Sequence, residues 1–180
     1  LSGVHPDYTL DSYIDLIRCV RAEAPGVDIH TASPDEIAWA AERSGVSTRE
    51  ALEHLRDAGL GTLQGTAAEI LVDDVRRVIC PNKCDTATWV GVIKEAHEMG
   101  IRSTATIMYG SCESEADRAR HLGILREIQD ETGGFTELVP LSYLYENTAL
   151  YRQGLAPAGA TGREEDRKST RLNSSHSLPS

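Results

Sequence analysis

The sequence predicts an α/β fold in which parallel strands alternate with helices, and three observations predict it. Short β-rich segments alternate with amphipathic helical segments along most of the chain. The segments joining successive strands are too long for hairpins, so the strands are parallel and connected right-handedly. Capping and stop signals bracket the helices at the expected places. An open doubly wound sheet and a barrel share this signature, and periodicity does not separate them. At 180 residues the chain has enough length for one hydrophobic core but is small for a complete eight-unit barrel. It starts at Leu1 rather than Met, and Leu1 to Pro6 reads as the tail of a strand already under way. The beginning of the fold is therefore expected to be missing.

Leu10, Tyr13, Ile14, Leu16, Ile17 and Val20 recur at helical spacing between Thr9 and Ala24, and Pro25-Gly26 stops that helix. Val27 to Thr31 reads as a strand. It feeds a helix opened by Ser33-Pro34-Asp35-Glu36, in which Ser33 caps, Pro34 takes the first helical position and Glu36 reaches back. Ser47 and Glu50 repeat the capping box for a helix burying Leu52, Leu55 and Ala58 and ending at Gly59. Leu60 to Leu63 is the next strand, followed by a turn containing Gly65 and a helix expected from about Ala67 to Ile79. Asp85 to Met99 is helical, with Trp89, Val92, Ile93 and Ala96 on one face. A strand over Ile101 to Met108 leads to a helix from Ser114 with a stripe of Ala119, Leu122, Leu125 and Ile128. Gly133-Gly134 closes it before the last strand, Phe135 to Leu141.

The formal net charge of −10, without clustered Lys and Arg, argues against a nucleic-acid partner. No apolar run approaches the roughly 20 residues that cross a bilayer, and no signal-peptide pattern opens the chain, so no membrane partner and a cytoplasmic location are expected. Of the four cysteines, Cys19 sits among apolar helix neighbours and is expected in the core, while Cys112 is expected in a strand-end loop. Cys80 and Cys84 are close enough to suggest a metal, but Pro81 breaks the helix between them and no second pair completes four ligands. No metal site is assigned to this chain. From Asp166 the sequence is polar and without periodicity. Asp166 through His176 matches, residue for residue, the translation of a common sequencing-adaptor read. Residues 166–180 are therefore expected to be a non-native tail, without whose charges the remainder carries −12: removing Asp166, Arg167, Lys168 and Arg171 from the total of −10 takes away +2.

In a parallel β/α fold chemistry sits beyond the C-terminal ends of the strands. The segments there are Gly3 to Asp7, His30 to Ser33, Gln64 to Glu69, Tyr109 to Glu113 and Pro140 to Glu146. Each has a structural explanation as well as a functional one. His5 and His30 can be hydrogen-bonded framework residues, Tyr109 can be packing, and Glu69 can be an acid in a first helical turn.

Four motifs in order carry a resemblance: Gly61-Thr-Leu-Gln-Gly65-Thr-Ala-Ala-Glu69, Val75-Arg-Arg-Val-Ile-Cys-Pro-Asn-Lys83, Thr104-Ala-Thr-Ile-Met-Tyr-Gly110 and Gly133-Gly-Phe-Thr-Glu-Leu-Val-Pro-Leu141. Together they resemble the second subunit of FO synthase over almost all of Leu1 to Leu150. The resemblance implies a partial parallel barrel of the radical S-adenosylmethionine type over residues 1–150, with residues 151–165 starting a C-terminal extension. It implies a [4Fe–4S] cluster and S-adenosyl-L-methionine as cofactors of the intact enzyme. The cluster's C-x-x-x-C-x-x-C loop has no counterpart here, so this chain alone is expected to be unable to assemble it. Ser2 and Gly3 stand at the family's Gly-Gly position, with Ser2 a departure. Gly65 and Glu69 stand in its element beside the adenosyl group. His30, Tyr109 and Glu137 match substrate-contact positions, and His30, Glu69 and Tyr109 are expected to share one cavity.

The implied reaction transfers the 4-hydroxybenzyl group of L-tyrosine to 5-amino-6-(D-ribitylamino)uracil, with a partner enzyme like FO synthase subunit 1 closing the deazaflavin ring. Ala32, Ser111-Cys112, Ser142-Tyr143 and Tyr145 depart from the family's usual residues. Two rivals are a radical enzyme of futalosine-dependent menaquinone synthesis, disfavoured by Gly65-Thr66-Ala67-Ala68, and a non-catalytic remnant.

Overall fold

A computed structural model describes residues 2–159. Helices α1 (Leu10–Glu23), α2 (Pro34–Ser44) and α3 (Thr48–Ala58) are interleaved with strands β1 (His30–Thr31) and β2 (Thr62–Leu63). They are followed by α4 (Asp73–Ile79), α5 (Thr86–Glu98), β3 (Ser103–Tyr109), α6 (Glu115–Thr132), β4 (Phe135–Ser142) and α7 (Ala149–Arg152). The readings for residues 160–165 and for the 166–180 tail lie outside the described residues, and α7 runs across residue 150.

The strands form one parallel sheet in the order β1-β2-β3-β4. That order is consistent with the barrel of the two architectures that periodicity left open. A doubly wound sheet reverses its strand order at a switch point, and the described strands run in sequence order throughout, as successive units of a β/α barrel do. The helices pack on one another in chain order, α1 on α2 and α3, α2 on α3 and α5, and α5 on α6. The larger apolar cluster joins Ile17, Leu52, Leu55, Trp89, Ile93 and Ile128 from these helices to Leu63 and Ala105 from the sheet and to Ile29 just before β1. Alternation along β3 divides its side chains: Ala105 and Ile107 belong to the apolar clusters, while Thr106 and Met108 line a cavity.

The capping signals are realised. Ser33 accepts from the Glu36 amide, and Glu36 returns the bond to the amide and hydroxyl of Ser33; Ser47 with Glu50 and Ser114 with Asp117 do the same. The Gly133-Gly134 pair has two separate jobs. Gly133 ends α6 in the left-handed region at φ 62°, and a Cβ on Gly134 would stand 2.2 Å from the His97 ring. His97 lies edge-on to Phe135 and bonds Thr132 and Ser103, so the α5, α6, β3 and β4 ends meet on one imidazole.

Four expectations are corrected. Ser2 to His5 form no strand; Ser2 and Gly3 instead donate their amides to Glu36. The helix expected from Ala67 begins only at Asp73, because Ala67 and Glu69 are left-handed and the carbonyls of Ala67 and Ala68 are taken by Arg76. Cys19 is exposed rather than core, as are Leu16 and Val20, since α1 turns Leu10, Tyr13, Ile14 and Ile17 inward. In α6 Ala119 is exposed and His121 is fully buried beside Leu125 and Ile128; periodicity that counts only apolar residues misses it.

His121 accepts a hydrogen bond from the Leu71 amide at Nδ1, and its Nε2 has no partner at bonding distance. Burial pushes its pKa down from 6.5 to about 4, with the Thr106 backbone opposing in part and the Arg76 charge reinforcing. The unfolded imidazole takes up a proton near pH 6.5 that the folded one refuses until about pH 4, so stability is lost as pH falls across that window. The loss from His121 approaches ~3 kcal/mol. Urea unfolding at stepped pH tests this: His121→Asn lowers stability at neutral pH and has a shallower acid decline than the wild type.

Candidate functional site at the strand tips

A cavity of about 720 Å3 opens where the strands end. Gly3 and Val4 form one side and Ser33, Asp35 and Glu36 the start of α2. Thr66, Ala67 and Glu69 come from the loop after β2, Thr106 and Met108 from β3, and Leu141 to Leu144 from the end of β4. Lys83, from the loop between α4 and α5, completes the wall. A neighbouring cavity of about 500 Å3 shares Glu69, Lys83, Met108 and Tyr143, and a third of about 270 Å3 shares Val4, Asp35 and Lys83.

Residues 65–71 form no helix or strand and are held by neighbouring side chains and by one backbone bond from β3. The Gly65 amide donates to the Thr104 hydroxyl and its carbonyl accepts from Thr106; Trp89 donates to the Thr66 carbonyl; the Met108 amide donates to the Glu69 carbonyl. Gly65 itself does not line the cavity. A Cβ there would stand 1.7 Å from the Thr104 carbonyl oxygen, so only glycine lets the loop lie against β3. Arg76, 3% exposed, makes no ion pair among the described residues and donates instead to the carbonyls of Ala67, Ala68 and Cys84. Ala32, Ala67 and Glu69 all stand at positive φ, which costs about 1–2 kcal/mol each in a non-glycine residue. Strain is thus concentrated at the tips of β1 and β2.

The acids of the cavity wall have different employments. Glu36, buried, accepts from Ser2, Gly3 and Ser33, and Asp35 accepts from the Cys84 amide. Glu69 pairs with Lys83. Burial works against the Lys83 charge, but the Glu69 carboxylate attracts and hydrogen-bonds it, and the net effect is a raised pKa. Behind the wall, Glu113 accepts from the Gly110 and Ser111 amides, the Ser111 hydroxyl and Arg118, fixing the β3–α6 loop. Burial opposes its charge, yet these donors hold its pKa below the ordinary value.

Of the residues singled out in the sequence, Gly3 and Glu69 line the cavity and Gly65 supports its wall. Ser2 is exposed and acts on the wall through its bonds to Glu36. His30, Glu69 and Tyr109 do not share the cavity. His30 is exposed on β1 and hydrogen-bonded to Thr62; Tyr109 is buried at the end of β3, with the parity of Ala105 and Ile107, which pack in the apolar clusters. Glu137 is exposed at the register irregularity in the first half of β4, away from the strand tip. Asp35, Glu36, Lys83, Thr106 and Met108 were not singled out for function. The signals at Ser33 to Glu36 were absorbed by helix capping, and Lys83 stood inside a motif without a role.

The donor set fits the amino-acid end of S-adenosyl-L-methionine, with one ammonium and several carboxylates beside the apolar groups of Met108, Leu141 and Tyr143. It does not fit an iron–sulfur cluster. Cys19 lies exposed on α1, Cys112 in the β3–α6 loop and Cys80 and Cys84 either side of Pro81, and no His, Cys, Asp and Glu grouping among the described residues is arranged for a metal ion.

Consecutive parallel β/α units with a charged cavity at their strand tips define the class of the protein: an α/β protein with a four-stranded parallel sheet, an arrangement consistent with part of a β/α barrel. No family model matches the chain. Over 165 residues, 92% of its length, it is 67% identical to a 5-amino-6-(D-ribitylamino)uracil–L-tyrosine 4-hydroxyphenyl transferase of Methanoculleus marisnigri, and 62% identical to that of Methanospirillum hungatei over the same length. It is 46% identical over 162 residues to the FO synthase of Mycobacterium tuberculosis. The resemblance carried by its motifs is therefore borne out. The chain spans 45% of the length of the two transferases and 19% of the FO synthase.

Two variants test the loop. Gly65→Ala drives a methyl into the Thr104 carbonyl and is expected to cost roughly 3 kcal/mol or more by thermal or urea unfolding. Arg76→Met removes the donors of three backbone carbonyls and is expected to cost about 3–5 kcal/mol, with Arg76→Lys recovering less than half because one ammonium cannot reproduce the fork. Unchanged unfolding midpoints would contradict both.

Proposed function

We propose that the chain is part of a radical S-adenosylmethionine transferase that moves the 4-hydroxybenzyl group of L-tyrosine to 5-amino-6-(D-ribitylamino)uracil, a step in making the deazaflavin chromophore of coenzyme F420. The single observation that carries this reading is identity of 67% to a transferase of that name across 92% of the chain. The strand-tip cavity supports it by offering charge for an amino-acid group and apolar surface for an aromatic one.

In this reading the barrel is of the radical S-adenosylmethionine type. Gly3 and Glu69 line the site of the cofactor's adenosyl-methionine body, with Ser2 setting the edge through Glu36 and Gly65 allowing the wall to lie close. S-adenosylmethionine supplies the hydrogen-abstracting radical in that chemistry, and the cluster that starts it is held by residues other than the cysteines of this chain. His30, exposed on β1, is a candidate substrate contact, and Tyr109 and Glu137 are candidates only where further units of the barrel complete the site. The chain's own contribution is to position ligands and to exclude water: Thr66, Met108, Leu141 and Tyr143 surround the cavity, and the clamped 65–71 loop keeps it from collapsing. A ring-closing enzyme like FO synthase subunit 1 is the partner, and the location is cytoplasmic. No helix among the described residues is long and apolar enough to cross a membrane.

The test is product analysis on the full-length protein, reduced and supplied with S-adenosylmethionine, L-tyrosine and the ribitylaminouracil. The expected outcome is a mass corresponding to the 4-hydroxybenzyl adduct of the uracil. A protein that cleaves the cofactor but yields no adduct discards the assignment.

A further inference from the structure

We propose that Lys83 is the receptor for the α-carboxylate of an amino-acid-type ligand in the strand-tip cavity, with Glu69 as the residue that positions it. The inference rests on the functional reading above and adds to it a residue that the motifs left without a role. Three cavities meet at Lys83: the main one of about 720 Å3 and the flanking ones of about 500 and 270 Å3. Among the residues lining the main cavity it is the one side-chain cation, facing a wall that carries Asp35, Glu36 and Glu69. The charged side chains that a ligand carboxylate meets in that cavity are like-charged except for Lys83.

The remaining acids are committed elsewhere, which leaves Glu69 and Lys83 as the adjustable pair. Glu36 is saturated by Ser2, Gly3 and Ser33, and Asp35 is engaged by the Cys84 amide. Lys83 has three ammonium hydrogens, of which the recorded pairing with Glu69 employs one. Its ammonium can therefore accept a carboxylate without giving up Glu69, while Glu69 is in turn able to receive the ammonium of the same zwitterion.

The pair is also built rather than incidental. Arg76 binds the carbonyl of Ala68, the residue before Glu69, and the carbonyl of Cys84, the residue after Lys83. One buried guanidinium thus fixes both backbones, and the left-handed turn at Glu69 aims its side chain across to the other loop. Surface ion pairs lack such support; here Lys83 and Glu69 side chains are 38% and 18% exposed, so the pair is accessible from the cavity yet screened from bulk water.

Two ligands share this chemistry, free L-tyrosine and the methionine end of S-adenosylmethionine, and equilibrium binding to the full-length protein distinguishes them. Binding of L-tyrosine against tyramine, and of S-adenosylmethionine against its decarboxylated analogue, is compared in the wild type, Lys83→Met and Lys83→Arg. In one pair Lys83→Met is expected to weaken the carboxylate-bearing member on the order of 10- to 100-fold and leave the carboxylate-free member unchanged, with Lys83→Arg recovering most of the loss. Selective loss of tyrosine assigns the substrate, and selective loss of S-adenosylmethionine assigns the cofactor. Equal loss of both members, or no loss, overturns the proposal. Should Lys83→Met fail to fold, the wild type decides by itself: equal affinity for each ligand and its carboxylate-free analogue also overturns it. The two readings fail separately, because carboxylate selectivity at Lys83 without adduct formation removes the transferase and keeps the receptor, while adduct formation without selectivity does the reverse.

Discussion

One buried guanidinium holds the site together. Arg76 is placed by the short helix α4 beneath the cavity, and it spends its hydrogen bonds on backbone carbonyls rather than on a carboxylate. A charge removed from water needs dense pairing to be tolerated, and carbonyls from two different loops provide it. The consequence is mechanical: residues 65–71 and 80–84, which have no regular structure to stiffen them, become parts of a single rigid wall. His121, Trp89, Thr104 and Thr106 add bonds to the first of these loops, so it is fixed from below, behind and beside.

That rigidity explains why strained backbone can persist. Left-handed Ala67 and Glu69 would relax in a free loop, but every escape breaks a bond to a buried partner. The strain in turn lifts the Glu69 side chain toward Lys83 instead of burying it in a helical turn. Electrostatics and geometry therefore act together. An acidic wall with one cation is a poor surface for phosphates and a good one for zwitterions, whose two charges can each find an opposite.

The caps at Ser33, Ser47 and Ser114 and the stripes of α3 and α5 were legible because they depend on neighbours within a turn of helix. The four strands were placed correctly, although β1 and β2 are shorter than their apolar runs because only their last residues pair. Where the reading failed, a distant group had overruled a local preference. Ala67 and Ala68 favour helix by propensity, yet Arg76, eight or nine positions later, claims their carbonyls. Cys19 looked apolar by its neighbours, yet α1 meets the core along another stripe, that of Leu10, Tyr13, Ile14 and Ile17. Gly3 and Glu69 line the cavity, whereas Tyr109 does not because it has the parity of Ala105 and Ile107, which pack in the apolar clusters, and His30 does not because its pairing with Thr62 sets it level with the start of β3 rather than its tip.

The order of elements, their caps and the parallel direction of the strands were determined by the sequence alone, because helix periodicity, cap chemistry and connection length are local properties of the chain. The close approach of Gly65 to β3, the burial of His121, the clamp of Arg76 and the meeting of Glu69 with Lys83 were decided only in three dimensions. Each pairs groups whose separation along the chain follows no period, and each owes its strength to the exclusion of water, which exists only once the helices have closed over the sheet.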